Sequence, residues 1–386
     1  MEKENVTLTG TSFIPGNRVQ LLINGPQSFL AMQNAIETAR DRIEMESYEF
    51  NGAAARQFSA LLLQKQAQGV QVFLIYDAWG AMDTPASLFS ELRKAGVHVL
   101  EYSPFDPLKM TSLDLNKRDH RKMLIIDGKT AIVGGVNVSP VYENRRRPGG
   151  STASKPDKLP WRDTDVQIDG PVVQLFERLF LQTWQEQKGP APLPVVEPAE
   201  APVGNEMVQA IDGSPRDGNP AIYESLLTAI AASRKSVHLT TGFFAPPPDL
   251  AEALECAARR GVDIELIVPS RSTSNVTVAA GRSHYSSLLR AGVQIYERQG
   301  VVLHAKTAVV DGVWSVVGSS NLDWRSVVYN NEVDAIILGE NFGQQLEVVF
   351  QKDILASKKI TWEAWRHRGA EERLRELEAQ AIGFLL

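Results

Sequence analysis

The chain has 386 residues, a net charge of −6 and 43% hydrophobic residues. That balance excludes a disordered or fibrous chain and allows two to three ordinary domains. The acidic total counts against a protein dedicated to nucleic acid, although a local basic cleft can sit inside it.

The N-terminal MEKENVTLTG lacks an apolar core and predicts no secretory signal, and no apolar run is long enough for a transmembrane helix. Read in chain order, the sequence is written twice. AIETARDRI (35–43) resembles AIAASRKSV (229–237), each the end of a helix leading into a strand. QAQGVQVFLIYD (66–77) and AARRGVDIELIVP (257–269) are each a helix end, a Gly-Val break and an apolar strand. LRKAGVHVLEY (92–102) matches LLRAGVQIYER (288–298), and HRKMLIIDGKTAIVGGVN (120–137) matches HAKTAVVDGVWSVVGSSN (304–321). The extra segment 103–119 accounts for the changed offset before His120, and its Phe105, Leu108, Met110 and Leu113 suit either an apolar lip or simple packing.

Between the copies, KGPAPLPVVEPAEAPVG (188–204) reads as a linker. The expected organisation is a lobe over 1–187, a linker over 188–204 and a second lobe over 205–386, of α/β class. The single cysteine, Cys256, excludes an internal disulfide and a multi-cysteine metal site, and reads as helix packing. NRRRPGGSTASKPDK (144–158) is a basic loop, either solvated or a flap over an anionic surface. Residues 362–381 carry Trp362, Trp365, Leu374 and Leu377 at helical spacing and read as packing on the core, with GFLL (383–386) a candidate to dip into an interface. Among the remaining histidines, His98 and His238 read as strand residues, His284 as a candidate substrate contact, and His367 falls in no repeated motif.

The last repeated block carries the chemistry. On a strand, His120 and Lys122 project from one face, as do His304 and Lys306. Asp127-Gly128 and Asp311-Gly312 read as hairpin turns, with the aspartates structural. A two-residue turn would set His120 opposite Gly135 and His304 opposite Ser319, with Asn137 and Asn321 on the same face. Those small residues would let an anion approach the backbone, with Gly135, Ser319, Asn137 and Asn321 as phosphate contacts. Imidazole, ammonium and amide together suit a phosphoryl group, whose transition state gathers charge on oxygen. One histidine would attack phosphorus while the other protonates the leaving alcohol, the lysines supplying charge without a metal. Asp163 and Glu332 align when Gly170 and Gly339 are superposed, and are the candidate carboxylates behind the histidines. Which carboxylate serves which histidine stays open.

The duplicated HxKx4Dx6G[GS]xN pattern resembles that of the phospholipase D superfamily, and within it the bacterial cardiolipin synthases lacking transmembrane helices. WRDTDVQIDGPVVQLFERLFLQTW (161–184), SSNLDWRSVVYNNEV (319–333) and ITWEAWRHR (360–368) carry the closer match. The resemblance implies two pseudo-symmetric α/β lobes, each a mixed sheet flanked by helices, with the active site at their interface. It implies a ping-pong phosphatidyl transfer through a phosphohistidine, with His120 as nucleophile and His304 as general acid/base. No cofactor and no nucleic-acid partner are expected. Phosphatidylglycerol is the expected donor; phosphatidylglycerol, phosphatidylethanolamine, glycerol or water is the acceptor. A bacterial protein peripheral to the cytoplasmic side of a membrane is implied, with hydrolysis as the alternative and nuclease action less favoured.

Overall fold

The computed structural model describes residues 11–104, 117–143, 159–192, 196, 199–214 and 220–381. The 144–158 loop, most of the 103–119 insertion and the 383–386 tail therefore lie outside the described residues.

The first half runs β1 (Ile14–Ile23), α1 (Asn24–Thr38), β2 (Arg42–Ser47), α2 (Gly52–Ala67), β3 (Gln71–Asp77), α3 (Ala86–Lys94) and β4 (His98–Tyr102). It continues with β5 (Arg118–Asp119), β6 (Lys122–Ile126), β7 (Thr130–Gly134), a 3-10 turn (Pro140–Glu143), β8 (Trp161–Arg162), β9 (Thr164–Asp169) and α4 (Val173–Glu186). The described residues of 188–204 form neither helix nor strand.

The second half opens with β10 (Glu206–Gly213), α5 (Ala221–Ala232), β11 (Ser236–Thr240), β12 (Phe244–Ala245), α6 (Pro248–Arg259) and β13 (Asp263–Pro269). Then come α7 (Asn275–Ser283), α8 (Tyr285–Ala291), β14 (Gln294–Arg298), β15 (Val302–Leu303), β16 (Thr307–Val310), β17 (Trp314–Gly318) and β18 (Leu322–Asp323). It closes with α9 (Trp324–Val328), β19 (Asn330–Leu338), α10 (Glu340–Leu355), β20 (Ser357–Ile360), α11 (Trp362–Arg366) and α12 (Ala370–Ala381).

The helix–glycine–strand blocks form as their residues dictate. Gly69, Gly96, Gly261 and Gly292 follow their helices at φ between 91 and 102°, a left-handed stop that favours glycine. The strands that follow are almost wholly buried, which requires helices on both faces.

The sheet order repeats. Strands β4-β3-β2-β6-β7-β9-β1 match β14-β13-β11-β16-β17-β19-β10, and β1 pairs with β10 antiparallel at the centre. Each half is thus a mixed sheet, but the two halves are continuous rather than separate: the sheet has 16 strands. One face carries a core drawn from both halves, including Phe73, Val133, Val208, Val317 and Ile337. On the other face each half has its own core, around Phe29 and Phe58 in the first and Leu254 and Ile295 in the second.

Two side-chain expectations change. Cys256 is exposed on α6 rather than packed. Trp365 is buried against Tyr285, but Leu374 and Leu377 on α12 face solvent, because that helix turns a different face, with Glu376 and Ala379, onto the protein.

Candidate active site

The two hairpins end at the junction of the halves. Their turns hold three residues, not two: Ile126 pairs with Thr130 and Val310 with Trp314. Asp127 and Asp311 adopt φ of 51 and 54° in these turns. Their carboxylates accept backbone N–H bonds from Arg40, Asp41 and Arg42, and from Arg234, Lys235 and Ser236. They clamp each hairpin to the loop entering β2 or β11, well away from the reacting groups. The extra turn residue sets Lys122 and Lys306 in register with Gly134 and Gly318, and the ladders stop before either histidine.

Each histidine is instead fastened to the opposite half. Strand β5, just before His120, pairs in parallel with Asn330–Asn331, just before Glu332. Strand β8, just before Asp163, pairs in parallel with Val302–Leu303, just before His304. The His120 N–H donates to the Asn331 carbonyl at 2.9 Å, and the His304 N–H to the Arg162 carbonyl at 2.8 Å. This pairing decides what the sequence left open: the carboxylates cross over. His120 Nδ1 lies 2.9 Å from Glu332, and His304 Nδ1 lies 2.7 Å from Asp163. An Nδ1–H donated to a carboxylate leaves the Nε2 lone pair of a neutral ring free to react. The two rings stand 6.5 Å apart between centroids.

Lys122 and Lys306 donate to the carbonyls of their own motif histidines, and Lys306 Nζ is 3.0 Å from His304 Nε2. Burial pushes the Lys122 ammonium down to about 7 and that of Lys306 to about 8. Burial and the neighbouring lysines hold His120 well below the ordinary histidine value and His304 at about 3. Burial alone would raise Asp163, but His304 and Lys306 hold it below the usual carboxylate value. Burial takes Glu332 up to about 7 despite donors from Ser319, Ser326 and Asn330. The site is a cluster of buried cations and imidazoles, suited to an anion. Among the described residues no group of three side chains is arranged to hold a metal ion.

Two of the expected phosphate contacts have different neighbours. A Cβ on Gly135 would fall 2.1 Å from Asp163 Oδ1, so the anion that approaches this backbone is the protein's own carboxylate. The Ser319 hydroxyl donates to Glu332 at 2.5 Å and thus supports that carboxylate. The Asn137 amide is engaged as well: its oxygen accepts from the Glu49 N–H, and its nitrogen donates to the Tyr142 hydroxyl. Asn321, beside Lys306, has a buried amide oxygen with no hydrogen-bond partner.

Three contributors escaped the sequence reading. Asp165 and Asp334 lie beneath Gly134 and Gly318 and accept N–H bonds from the turns above, Asp334 from Ser319 and Ser320 and Asp165 from Val136. Burial raises both to about 7. Their signal was present, since Asp163-Thr164-Asp165 and Glu332-Val333-Asp334 repeat the same spacing. Tyr142, wholly buried, places its hydroxyl 3.1 Å from His304 Nδ1, and no repeated motif announces it. The other histidines sit elsewhere. His98 stacks on Phe73, His238 on Phe350 with Glu347 at Nδ1, His284 ends α7, and His367 is exposed.

The family model described as cardiolipin synthase, PLD-like domain matches residues 32–146 and again 226–354, one match in each half. The chain belongs to this family. Cardiolipin synthase A of Pseudomonas aeruginosa (strain LESB58) is 32% identical over 376 residues, covering 97% of this chain and 74% of the relative. Cardiolipin synthase 2 of Bacillus cereus is 33% identical over 371 residues, covering 95% and 70%. Phosphatidylserine synthase from Haemophilus influenzae Rd KW20 shares the fold at a TM-score of 0.70 and 13% identity, with 100% of both chains covered. Polyphosphate kinase from Porphyromonas gingivalis is more distant, at a TM-score of 0.55 over 94% of this chain and 54% of that one. The phospholipase D-like fold of the family is therefore the fold seen here, and the chain is an enzyme of that family.

Proposed function

We propose that this cardiolipin synthase-family enzyme moves a phosphatidyl group from phosphatidylglycerol to an alcohol through a phosphohistidine. The observation that carries the reading is the crossed pair: two histidines from opposite halves, each with a carboxylate at Nδ1 and a lysine alongside. His120 Nε2 attacks phosphorus as the bond to the leaving glycerol oxygen breaks. His304 gives that oxygen its proton, then takes one from the acceptor hydroxyl as the new P–O bond forms and the P–N bond breaks. An anionic phosphodiester between Lys122 and Lys306 opposes the positive charge that lowers His304, and so helps it carry the proton. The ionised Asp163 suits the ring that must become imidazolium, which favours His304 as acid/base and His120 as nucleophile. Asn321, which lines the cavity beside Lys306, is the candidate contact to phosphate through its amide N–H donors.

Residues 1–187 and 205–386 act as one unit on this reading, because each half holds the carboxylate of the other's histidine. Among the described residues no helix is long and apolar enough to cross a membrane. We infer peripheral contact with an anionic bilayer, strengthened by phosphatidylglycerol and weakened by salt.

The test is mass spectrometry of products from vesicles containing phosphatidylglycerol, with and without glycerol. A phosphatidyl adduct on the His120 peptide and a diphosphatidyl product are expected. Phosphatidic acid alone would assign the acceptor to water, and plasmid cleavage with inert vesicles would overturn the reading.

A further inference from the structure

The two halves repeat in sequence and topology, yet they differ in one volume. On the second half's own core face, between α5 and strands β10, β11, β16, β17 and β19, lies a cavity of about 710 Å³, open solvent at its mouth included. One end is polar and belongs to the catalytic centre: Lys306, Asn321, Ser320 and Ser326 line it, with Asp334, whose carboxylate is held by Ser319 and Ser320. From there it runs between Leu239, Ala308 and Val316 on the sheet and Ile222, Tyr223 and Leu226 on the helix. Trp314 and Ile336 also line it, and Trp314, at the first position of β17, lies far from the Lys306 end of the hairpin.

The first half has the same frame but is filled. By hairpin register Ala308 corresponds to Leu124 and Val316 to Ile132, and the same sequence offset of 184 sets Ser326 against Tyr142. Every one of these is the smaller residue in the second half. The helices differ too. β1 runs directly into α1, and a Cβ on Gly25 would fall 2.0 Å from the Tyr142 carbonyl oxygen, so that helix is pressed onto the hairpin end. Residues 214–220 separate β10 from α5. Leu124, Ile132 and Tyr142 accordingly sit in a closed core with Phe29 and Met32.

We propose that this cavity binds one acyl chain of the phospholipid whose phosphate lies at Lys306 and Asn321. This rests on the phosphatidyl-transfer reading and adds to it a single, one-sided chain site. A phospholipid joins an anion to an apolar chain, and the cavity joins a buried ammonium to an apolar wall in the same order. Each methylene removed from water favours binding by a factor of about four.

The geometry makes Ala308 a limit on chain length. Ala308→Leu introduces the residue that the first half carries at this position, and Val327→Trp narrows the half-buried wall on α9. Both variants are to be assayed with phosphatidylglycerols of eight-carbon and of sixteen- to eighteen-carbon chains. A fall of at least tenfold in the long-to-short ratio of kcat/KM is expected for each. In parallel, a phosphatidylglycerol bearing a photoreactive group at the chain terminus should crosslink the wild-type enzyme at α5, β11 or β17. Equal loss on both chain lengths, or crosslinks confined to other surfaces while turnover proceeds, would overturn the acyl site and leave the function standing. No phospholipid turnover by the wild-type chain would overturn the function and the site together.

Discussion

Gly135→Ala separates two explanations of the small residue after the first hairpin. If the glycine makes room for substrate phosphate, a methyl group there weakens binding and raises KM. In the structure the space is occupied by Asp163, with Oδ1 at 2.1 Å and Cγ at 2.7 Å from the added carbon. Carbon atoms essentially never approach closer than 3.0 Å in this way, so the carboxylate must retreat by about 0.9 Å. Asp163 is fully buried and its N–H neighbour Thr164 already bonds Oδ1 at 2.9 Å, so it has little room to re-form the same contacts. The His304 Nδ1 bond, now 2.7 Å, then stretches beyond useful length. A hydrogen bond to a charged group is worth about 1.5–3 kcal/mol, or about ten- to a hundredfold in rate. Because His304 orientation matters most in the transition state, the loss should fall on kcat, with KM little changed. Steady-state kinetics on phosphatidylglycerol vesicles measure both. A raised KM with kcat intact would refute the argument and restore the phosphate explanation.

Three further outcomes follow from the buried charges. Lys122 and Lys306, lowered to about 7 and 8, are charged below those values and lose their protons as pH rises through them. Since kcat/KM reports the free enzyme, it should fall above pH 7 to 8 by up to tenfold per unit for each lysine, and a flat profile to pH 9 would contradict this. Buried Arg121 joins the halves by donating to Asp212, the Thr183 hydroxyl and the Glu332 carbonyl, beside the buried carboxyls of Glu46 and Asp119. Arg121→Met should cost about 3–5 kcal/mol in a urea melt, as expected when one partner of a buried ion pair is removed. Tyr142→Phe removes a buried hydroxyl that accepts from Asn137 and reaches His304 Nδ1 and the Gly135 carbonyl, and should lower kcat by up to about tenfold and cost about 1–3 kcal/mol in a urea melt.

The repeat, the α/β class and the helix–glycine–strand order were legible because they are properties of local sequence. Buried strands need apolar runs, and helix stops need glycine, wherever the chain is folded. His120, Lys122, His304 and Lys306 were legible for the same reason, since a residue type repeated at one spacing does not depend on the partner half. Asp163 and Glu332 could be aligned from Gly170 and Gly339, but not assigned to their histidines. That assignment depends on β5 lying beside β19 and β8 beside β15, pairings between segments far apart in the chain. The three-residue turn shifted the hairpin register by one, and so moved Gly135 and Ser319 away from the place the sequence spacing implied. The roles of both small residues were set instead by which buried carboxylate each one touches. The cavity beside α5 needed three dimensions for a further reason. Its walls come from strands and a helix spread over the second half, and the substitutions that open it are ordinary apolar or small residues when read singly. Sequence determined the two copies and the chemistry each carries, whereas only tertiary packing decided how the copies cross and where they stop being alike.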